Sequence, residues 1–207
     1  MRKLFTVFPA AALLAAPAIA HAGGFDYNFS QTISGPMKLE IVISDDLAHR
    51  ANNLPEKLSD RPSRRLNASF GNNGHYGDKA IAFLIEDMND ELLRDFNKRG
   101  ISLNDNAPTI LRVTIEDVKP NRPTFRQLSK DTSLSFQSFG IGGAEISAEI
   151  VYANGEIIGK AEYDYYSNLG DSPFPPIGTW EDARRAFDHF SKKLSKKLAA
   201  NGAATSS

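Results

Sequence analysis

The residues that could do chemistry are few and lie in two short segments. Asp45 and Asp46 precede His49 by about one helical turn, and Asp78 follows His75 by three residues. Carboxylates and imidazoles at such spacings can bind a divalent metal ion or exchange protons with a substrate. A zinc site needs three or four ligands at recognised spacings, which this set does not supply. We therefore predict helix capping for Asp45 and Asp46, with no metal ion and no cofactor.

Nucleophilic catalysis has little support in the sequence. There is no Gly-x-Ser-x-Gly motif, and the only histidines after residue 22 are His49, His75 and His189. His189 lies beside the phenylalanines of the last predicted helix, which favours a packing role. We assign no catalytic residue. A hydrolase acting on an envelope glycan or phosphate is kept as an alternative, centred on His49, His75 and the acids near them.

Two segments rich in Pro, Gly and Asn, residues 54–77 and 119–131, are predicted to be long loops. Their positive charges are Arg61, Arg64, Arg65, Lys119, Arg122, Arg126 and Lys130. In an acidic domain, two basic loops can form a local site for a phosphate-bearing lipid, a glycan or an acidic partner. The alternative is that prolines fix the turns while arginine stems cover apolar surface.

A glycine-rich segment, Gly140 to Gly143, follows the second loop. Phosphate cradles open a helix, whereas these glycines precede a predicted strand, so a bulge or a close backbone approach is expected instead. Together with the basic loops, this segment completes the predicted binding site. Its residues are Asn121, Arg122, Thr124, Arg126, Gly140, Gly142, Arg61, Arg64 and Arg65.

Composition excludes several classes of function. The chain has 207 residues, of which 41% are hydrophobic and 24% charged, so it can bury a core. Its net charge is −1, which argues against a protein that coats nucleic acid. The absence of cysteine excludes disulfides, thiol catalysis and cysteine-ligated metals.

The first 22 residues resemble a cleaved signal peptide. Arg2 and Lys3 begin it, an apolar stretch follows, and Ala20-His21-Ala22 has the small-x-small pattern of a cleavage site. We predict residues 1–22 as the leader and a periplasmic location, with neither a lipid anchor nor a transmembrane segment. The predicted mature chain carries 22 Lys and Arg residues against 25 Asp and Glu residues.

Hydrophobic periodicity predicts one α+β domain over residues 23–207. Strands are expected at 37–43, 109–118 and in a hairpin over 144–167, whose Asn154-Gly155 turn is the clearest local signal. Amphipathic helices are expected over 78–99 and from Thr179, with Asp182 in a shortened capping box. One charged sheet face and two helix stripes predict a two-layer sandwich, in which a mainly antiparallel sheet packs both helices on one face. We expect a flexible N-terminal segment at 23–35 and a disordered tail at 201–207.

The last predicted helix carries a second group of positive charges. These are Lys192, Lys193, Lys196 and Lys197, which flank Leu194 and Leu198. The pattern is compatible with binding to an anionic membrane surface. The same apolar stripe is needed by the core, so docking of this helix on the sheet is the favoured interpretation.

Residues 115–124, Ile-Glu-Asp-Val-Lys-Pro-Asn-Arg-Pro-Thr, and 138–144, Ser-Phe-Gly-Ile-Gly-Gly-Ala, carry a family resemblance. Over about residues 78–200 the chain resembles a group of uncharacterised bacterial envelope proteins, many of them similar to small periplasmic or outer-membrane lipoproteins. The resemblance implies an envelope location and this fold, and no known catalysis. The chain departs from the lipoprotein members because it lacks an acceptor cysteine.

These observations predict a non-enzymatic periplasmic protein. It would bind an envelope protein or an anionic lipid or glycan through loops 54–77 and 119–131, and no nucleic acid. Besides the hydrolase, a third possibility is a structural subunit of an envelope assembly, which would present an apolar patch at an exposed sheet edge.

Overall fold

The computed structural model describes residues 24–57, 72–167 and 176–204. The strands are β1 (Phe25–Phe29), β2 (Met37–Ile43), β3 (Thr109–Lys119), β4 (Gly143–Val151) and β5 (Ile157–Tyr166). The helices are α1 (Asp45–Arg50), α2 (Asp78–Lys98), α3 (Phe125–Lys130) and α4 (Glu181–Leu198), the last continuing into a π-helical turn over Ala199–Ala203. Within the described ranges, no helix combines the length and hydropathy needed to cross a membrane.

The five strands form one sheet in the order β1-β5-β4-β3-β2. All neighbours are antiparallel except β2 and β3, which run parallel because α1 and α2 connect them. The Asn154-Gly155 turn joins β4 to β5, and Gly155 has a φ of 84°, as this kind of tight turn requires. The predicted α+β fold with a mainly antiparallel sheet is confirmed.

The core lies between the sheet and the two long helices. Strand side chains that point inward alternate with polar ones, as in β3, where Leu111, Val113 and Ile115 are fully buried. The helices bury one stripe each, made of Ile81, Leu84, Met88, Leu92 and Phe96 in α2 and Ala183, Phe187, Phe190, Leu194 and Leu198 in α4. Burial of these stripes supplies the main driving force that holds the layers together.

The first and last described segments, residues 24–35 and 201–204, make regular contacts with the rest of the fold. β1 pairs with β5 along its whole length, and Ile33 is fully buried. The Ile33 amide donates to the carbonyl of Asn201 (3.0 Å), and Ala203 is buried. Residues 24–35 and 201–204 lie in the segments expected to be flexible and disordered, and here they bury apolar side chains and pair with each other. Residues 205–207 of the predicted tail lie outside the described residues. The predicted leader, residues 1–22, lies outside the described residues.

The outer sheet face is open to water and carries an acidic cluster around Glu145. Glu145 lies opposite Asp164 on β5 and Asp117 on β3. Desolvation, together with the negative charges of Asp117, Glu116, Asp164 and Glu162, raises the pKa of Glu145 above its ordinary value. Like charges that face each other across strands destabilise a sheet.

Removing the charge of Glu145 should therefore stabilise the fold. A raised pKa means that the ionised form is disfavoured more in the folded chain than in the unfolded chain. We expect Glu145→Gln to increase the free energy of unfolding at pH 7, by less than about 1 kcal/mol because water screens this surface. The gain should disappear as the pH falls below the ordinary value of 4.5.

The matched control is Glu149→Gln on the same strand, which removes an ion pair with Lys160 (2.7 Å) and should give no gain. Urea unfolding at pH 7 and pH 4 measures both variants. Equal or lower stability of Glu145→Gln at pH 7 would contradict the electrostatic account.

Candidate functional site

One end of the sheet gathers the ends of several elements. β3 ends at Lys119, β4 begins at Gly143 and β5 ends at Tyr166, and these three residues lie side by side. The Asn121 amide donates to the carbonyl of Thr179 (2.7 Å), which brings the start of α4 to the same place. We call residues 72–77, 119–142 and 176–182 the loop end.

The two predicted loops contact each other at the loop end. The Asn72 side-chain amide donates to the carbonyls of Pro120 (2.9 Å) and Ile141 (2.8 Å). From the second loop, the Gln127 amide donates to the carbonyl of Gly74 (2.9 Å). The residues 72–77 that close the first loop therefore lie directly against the second. Arg61, Arg64 and Arg65 fall outside the described residues.

Asn121 is the centre of the loop end and is fully buried. Its Oδ1 accepts from the Asp182 backbone amide (2.9 Å), while its Nδ2 donates to the Asp182 carboxylate and to the carbonyl of Gly140 (3.4 Å). Its own carbonyl accepts from the Gly140 amide (2.9 Å). The Asp182 carboxylate, also buried, accepts a second bond from the Ser167 hydroxyl (2.6 Å). One side chain thus ties the second loop, the glycine segment and α4 together.

The glycine segment lies against this centre. A Cβ atom on Gly142 would overlap the Asn121 side chain, and one on Gly143 would overlap the Tyr165 carbonyl oxygen. The close backbone approach predicted for residues 140–143 is therefore confirmed. Only glycine at 142 lets Asn121 reach the start of α4.

Arg122 and Thr124, both predicted as binding residues, make internal hydrogen bonds. The Arg122 guanidinium donates to the carbonyls of Pro176 (2.7 Å) and Gln137 (2.7 Å). Thr124 is the N-cap of α3 and forms a capping box with Gln127. α3 itself was not predicted, since a loop was expected over 119–131. The side chains of Arg122 and Thr124 therefore hold the backbone of the loop end in place.

Arg126 differs from the other predicted residues because its side chain is exposed. Lys130, one turn later in α3, is exposed as well. Within the described residues, no hydrogen bond or ion pair engages either charged group. Lys119 is less open, with its ammonium 4.8 Å from the centre of the Tyr166 ring.

Three apolar side chains of the loop end are more than half exposed, and the sequence did not predict this. Phe125 is 83% exposed and Phe136 is 68% exposed, and their rings meet edge to face with centroids 5.8 Å apart. Ile177 is 91% exposed. The sequence does show Phe125 between Arg122 and Arg126 in a polar segment. A single phenylalanine belongs to no periodic hydrophobic pattern, so it did not predict an exposed apolar surface.

A partly buried ion pair between α1 and the end of β3 lies next to the loop end. Arg50, which is 5% exposed, donates to the Asp117 carboxylate (2.7 Å), and that carboxylate also accepts from the Tyr166 hydroxyl (2.8 Å). The Tyr76 hydroxyl donates to the carbonyl of Val118 (2.8 Å). Burial and the nearby Asp117 charge raise the pKa of both tyrosines, which keeps them as neutral hydrogen-bond donors.

The residues of the alternative hydrolase site make ordinary loop contacts. A ring nitrogen of His75 lies 2.9 Å from the carbonyl oxygen of Asn52, and the Asn52 side-chain amide donates to Asp78 (2.8 Å). In the described ranges, Asp45, His49, His75 and Asp78 do not converge as metal ligands. The one acidic group that does converge there is Glu91, Asp95 and Asp188, and Arg94 pairs with all three.

The open edge of β2 bears on the third possibility, a structural subunit. Leu39 and Ile41 are only half-buried and, with Ala82 and Ile85 of α2, line a shallow groove of about 400 Å³. The groove gives this edge an apolar surface. No segment within residues 24–57, 72–167 and 176–204 covers it.

Comparisons with known proteins add the following. No family model matches the chain, and no curated protein sequence matches it. Among solved structures, the PelC dodecamer from Paraburkholderia phytofirmans is 11% identical, with a TM-score of 0.42 over 89% of this chain and 99% of that one. A variant of that protein gives 11% identity and a TM-score of 0.40 over 84% and 97%. A candidate lipoprotein from Caulobacter crescentus is 18% identical, with a TM-score of 0.30 over 56% and 81%. Similarities this low support no statement about function.

The hydrogen bonds of Asn121 predict a large effect on stability. Asn121→Ala leaves the buried Asp182 backbone amide without its partner and removes one of the hydrogen bonds of the Asp182 carboxylate, which should lower the free energy of unfolding by about 2–4 kcal/mol. The matched control is Asn104→Ala, since Asn104 accepts one bond from the amide of Asn106 in an exposed turn. That control should cost less than about 1 kcal/mol. Equal losses in urea unfolding would show that Asn121 is not the centre of the loop end.

Proposed function

We propose that this chain is an exported periplasmic protein that binds an anionic envelope molecule at the loop end and catalyses no reaction. The observation that carries the proposal is the contact between the two loops. Asn72 and Gln127 bond across them, so residues 72–77 and 119–131 can act as one surface. Two basic loops at opposite ends of the sheet would not support a shared site.

A fixed frame makes this surface suitable for binding. Asn121, Arg122 and Thr124 use their side chains to hold the backbone of the second loop. A surface that is ordered before the ligand arrives loses little conformational entropy on binding. These residues then contribute by positioning the loop, while the contact with the ligand falls to exposed neighbours.

The exposed neighbours carry positive charge. Arg126 and Lys130 extend from α3 into solvent, at the end of the molecule where the loops meet. Guanidinium and ammonium groups bind phosphate, sulfate and carboxylate through charge-assisted hydrogen bonds. The proposed ligand is therefore an anion, and the predicted leader makes the cell envelope the place where the chain meets it.

Binding to a polyanion tests this proposal. We expect dextran sulfate, added at about 0.15 M salt, to shift the NMR signals of residues 72–77 and 119–131, while neutral dextran shifts none. Lys130→Glu combined with Arg126→Glu should weaken binding by at least about tenfold, since each charge near an anionic surface contributes about a factor of five.

The matched control is Lys196→Glu. Lys196 is also an exposed lysine in the last turn of a helix, but it lies at the far end of α4. The Lys196→Glu variant should bind dextran sulfate as tightly as the wild type does. Shifts centred on α4 instead of the loop end, or equal losses in both charge-reversal variants, would refute the proposed binding surface.

A further inference from the structure

The loop end exposes large apolar side chains that the fold does not need. Phe125 and Ile177 are 83% and 91% exposed, and Phe136 is 68% exposed. Isolated apolar residues are common on protein surfaces. Three of them at one end of a molecule, each projecting from a loop or a short helix, form a patch that suits an apolar environment.

The patch is held together by its backbone. The Arg122 guanidinium bonds the carbonyls of Pro176 and Gln137, which are the sequence neighbours of Ile177 and Phe136. The Phe125 ring then packs against Phe136. All three side chains therefore project from segments that are fixed next to each other.

The charges around the patch are mainly positive. Arg126 follows Phe125 in the chain, Lys130 ends the same short helix, and both are exposed. Two acids face the same region. Asp131 accepts from the amide and hydroxyl of Ser133, and Glu181 accepts from the amides of Ile177 and Gly178. Arg122 and Lys119 are also nearby, and Asp182, the third acid of the loop end, is buried. Four cations therefore stand against two accessible acids among the described residues of the loop end.

We propose that the loop end docks on an anionic phospholipid bilayer, an inference that rests on the proposed binding function and names its ligand. Phe125, Phe136 and Ile177 enter the boundary between headgroups and acyl chains, while Arg126 and Lys130 bind lipid phosphates. Basic side chains next to Phe or Leu are the pattern of segments that lie in a membrane interface. The docked protein lies on the bilayer without crossing it.

A bilayer explains the patch better than a protein partner does. The buried centres of protein interfaces are depleted in charged residues, and lysine is depleted there although arginine is enriched. Here two exposed cations, Arg126 and Lys130, lie on the same short helix as Phe125. Each tip also projects separately, so a protein partner would need several matched pockets, whereas a fluid interface accepts any arrangement of projecting side chains.

Vesicle binding tests the inference. We expect the chain to bind vesicles of equimolar phosphatidylglycerol and phosphatidylcholine at least about tenfold more tightly than vesicles of phosphatidylcholine alone. The double variant Phe125→Ser with Ile177→Ser should bind the anionic vesicles at least about tenfold more weakly, since two apolar side chains no longer leave water. Binding of this variant to dextran sulfate should be unchanged, which also shows that it is folded.

The matched control is Phe83→Ser with Ile157→Ser, which removes the same two residue types from exposed positions on α2 and β5. It should bind vesicles as the wild type does. As a second measurement, Phe125→Trp should gain fluorescence quenching from brominated lipid.

The possible failures are distinguishable. Dextran sulfate binding without vesicle binding, or vesicle binding that the Phe125 and Ile177 substitutions leave intact, overturns the membrane inference and leaves the anion-binding proposal standing. Absence of both kinds of binding overturns both. Equal loss in the control double variant also overturns the inference, because the effect is then not confined to the loop end.

Discussion

The structure of the loop end depends on the buried interaction between Asn121 and Asp182. These two residues are 61 positions apart in the chain, and both are almost completely shielded from water. A buried carboxylate is tolerated only when its oxygens have polar partners. Asn121 and Ser167 both donate to Oδ2 of Asp182, and the Arg185 guanidinium lies 3.5 Å from Oδ1. Because Asn121 also bonds the backbone of Gly140 and Thr179, the same requirement fixes three separate segments.

The loop end combines a rigid interior with exposed tips. Asn121 and the partly buried Arg50–Asp117 pair hold the loops in place. Their bonds link β3 to α1 and β5, and the loop after β3 to α4. Phe125, Arg126 and Lys130 remain in solvent on α3. Binding residues are often found on loops that a rigid scaffold positions. Among the described residues that were expected to contact a ligand, Asn121, Arg122 and Thr124 make internal hydrogen bonds that hold the loop backbone.

The sequence predicted the fold well because the fold follows from periodic patterns. The α2 and α4 stripes and the Asn154-Gly155 turn define the layers and the hairpin without long-range information. The role of Asp182 could not be predicted in this way. Its position near the start of a helix suggested a local cap, but α4 begins at Glu181 with no side-chain cap, and Asp182 bonds Asn121 instead. Buried polar pairs far apart in sequence leave no periodic signal, and neither do single exposed aromatics such as Phe125.

Native-state hydrogen exchange is the most direct measurement of whether one buried centre orders the loop end. The amides of Asn121, Gly140 and Asp182 each donate to a group that this centre fixes. We expect these three amides to exchange with a common opening free energy, close to that of the α4 core, and to lose protection together in Asn121→Ala. Rapid and independent exchange of the three amides, while α4 stays protected, would contradict the account.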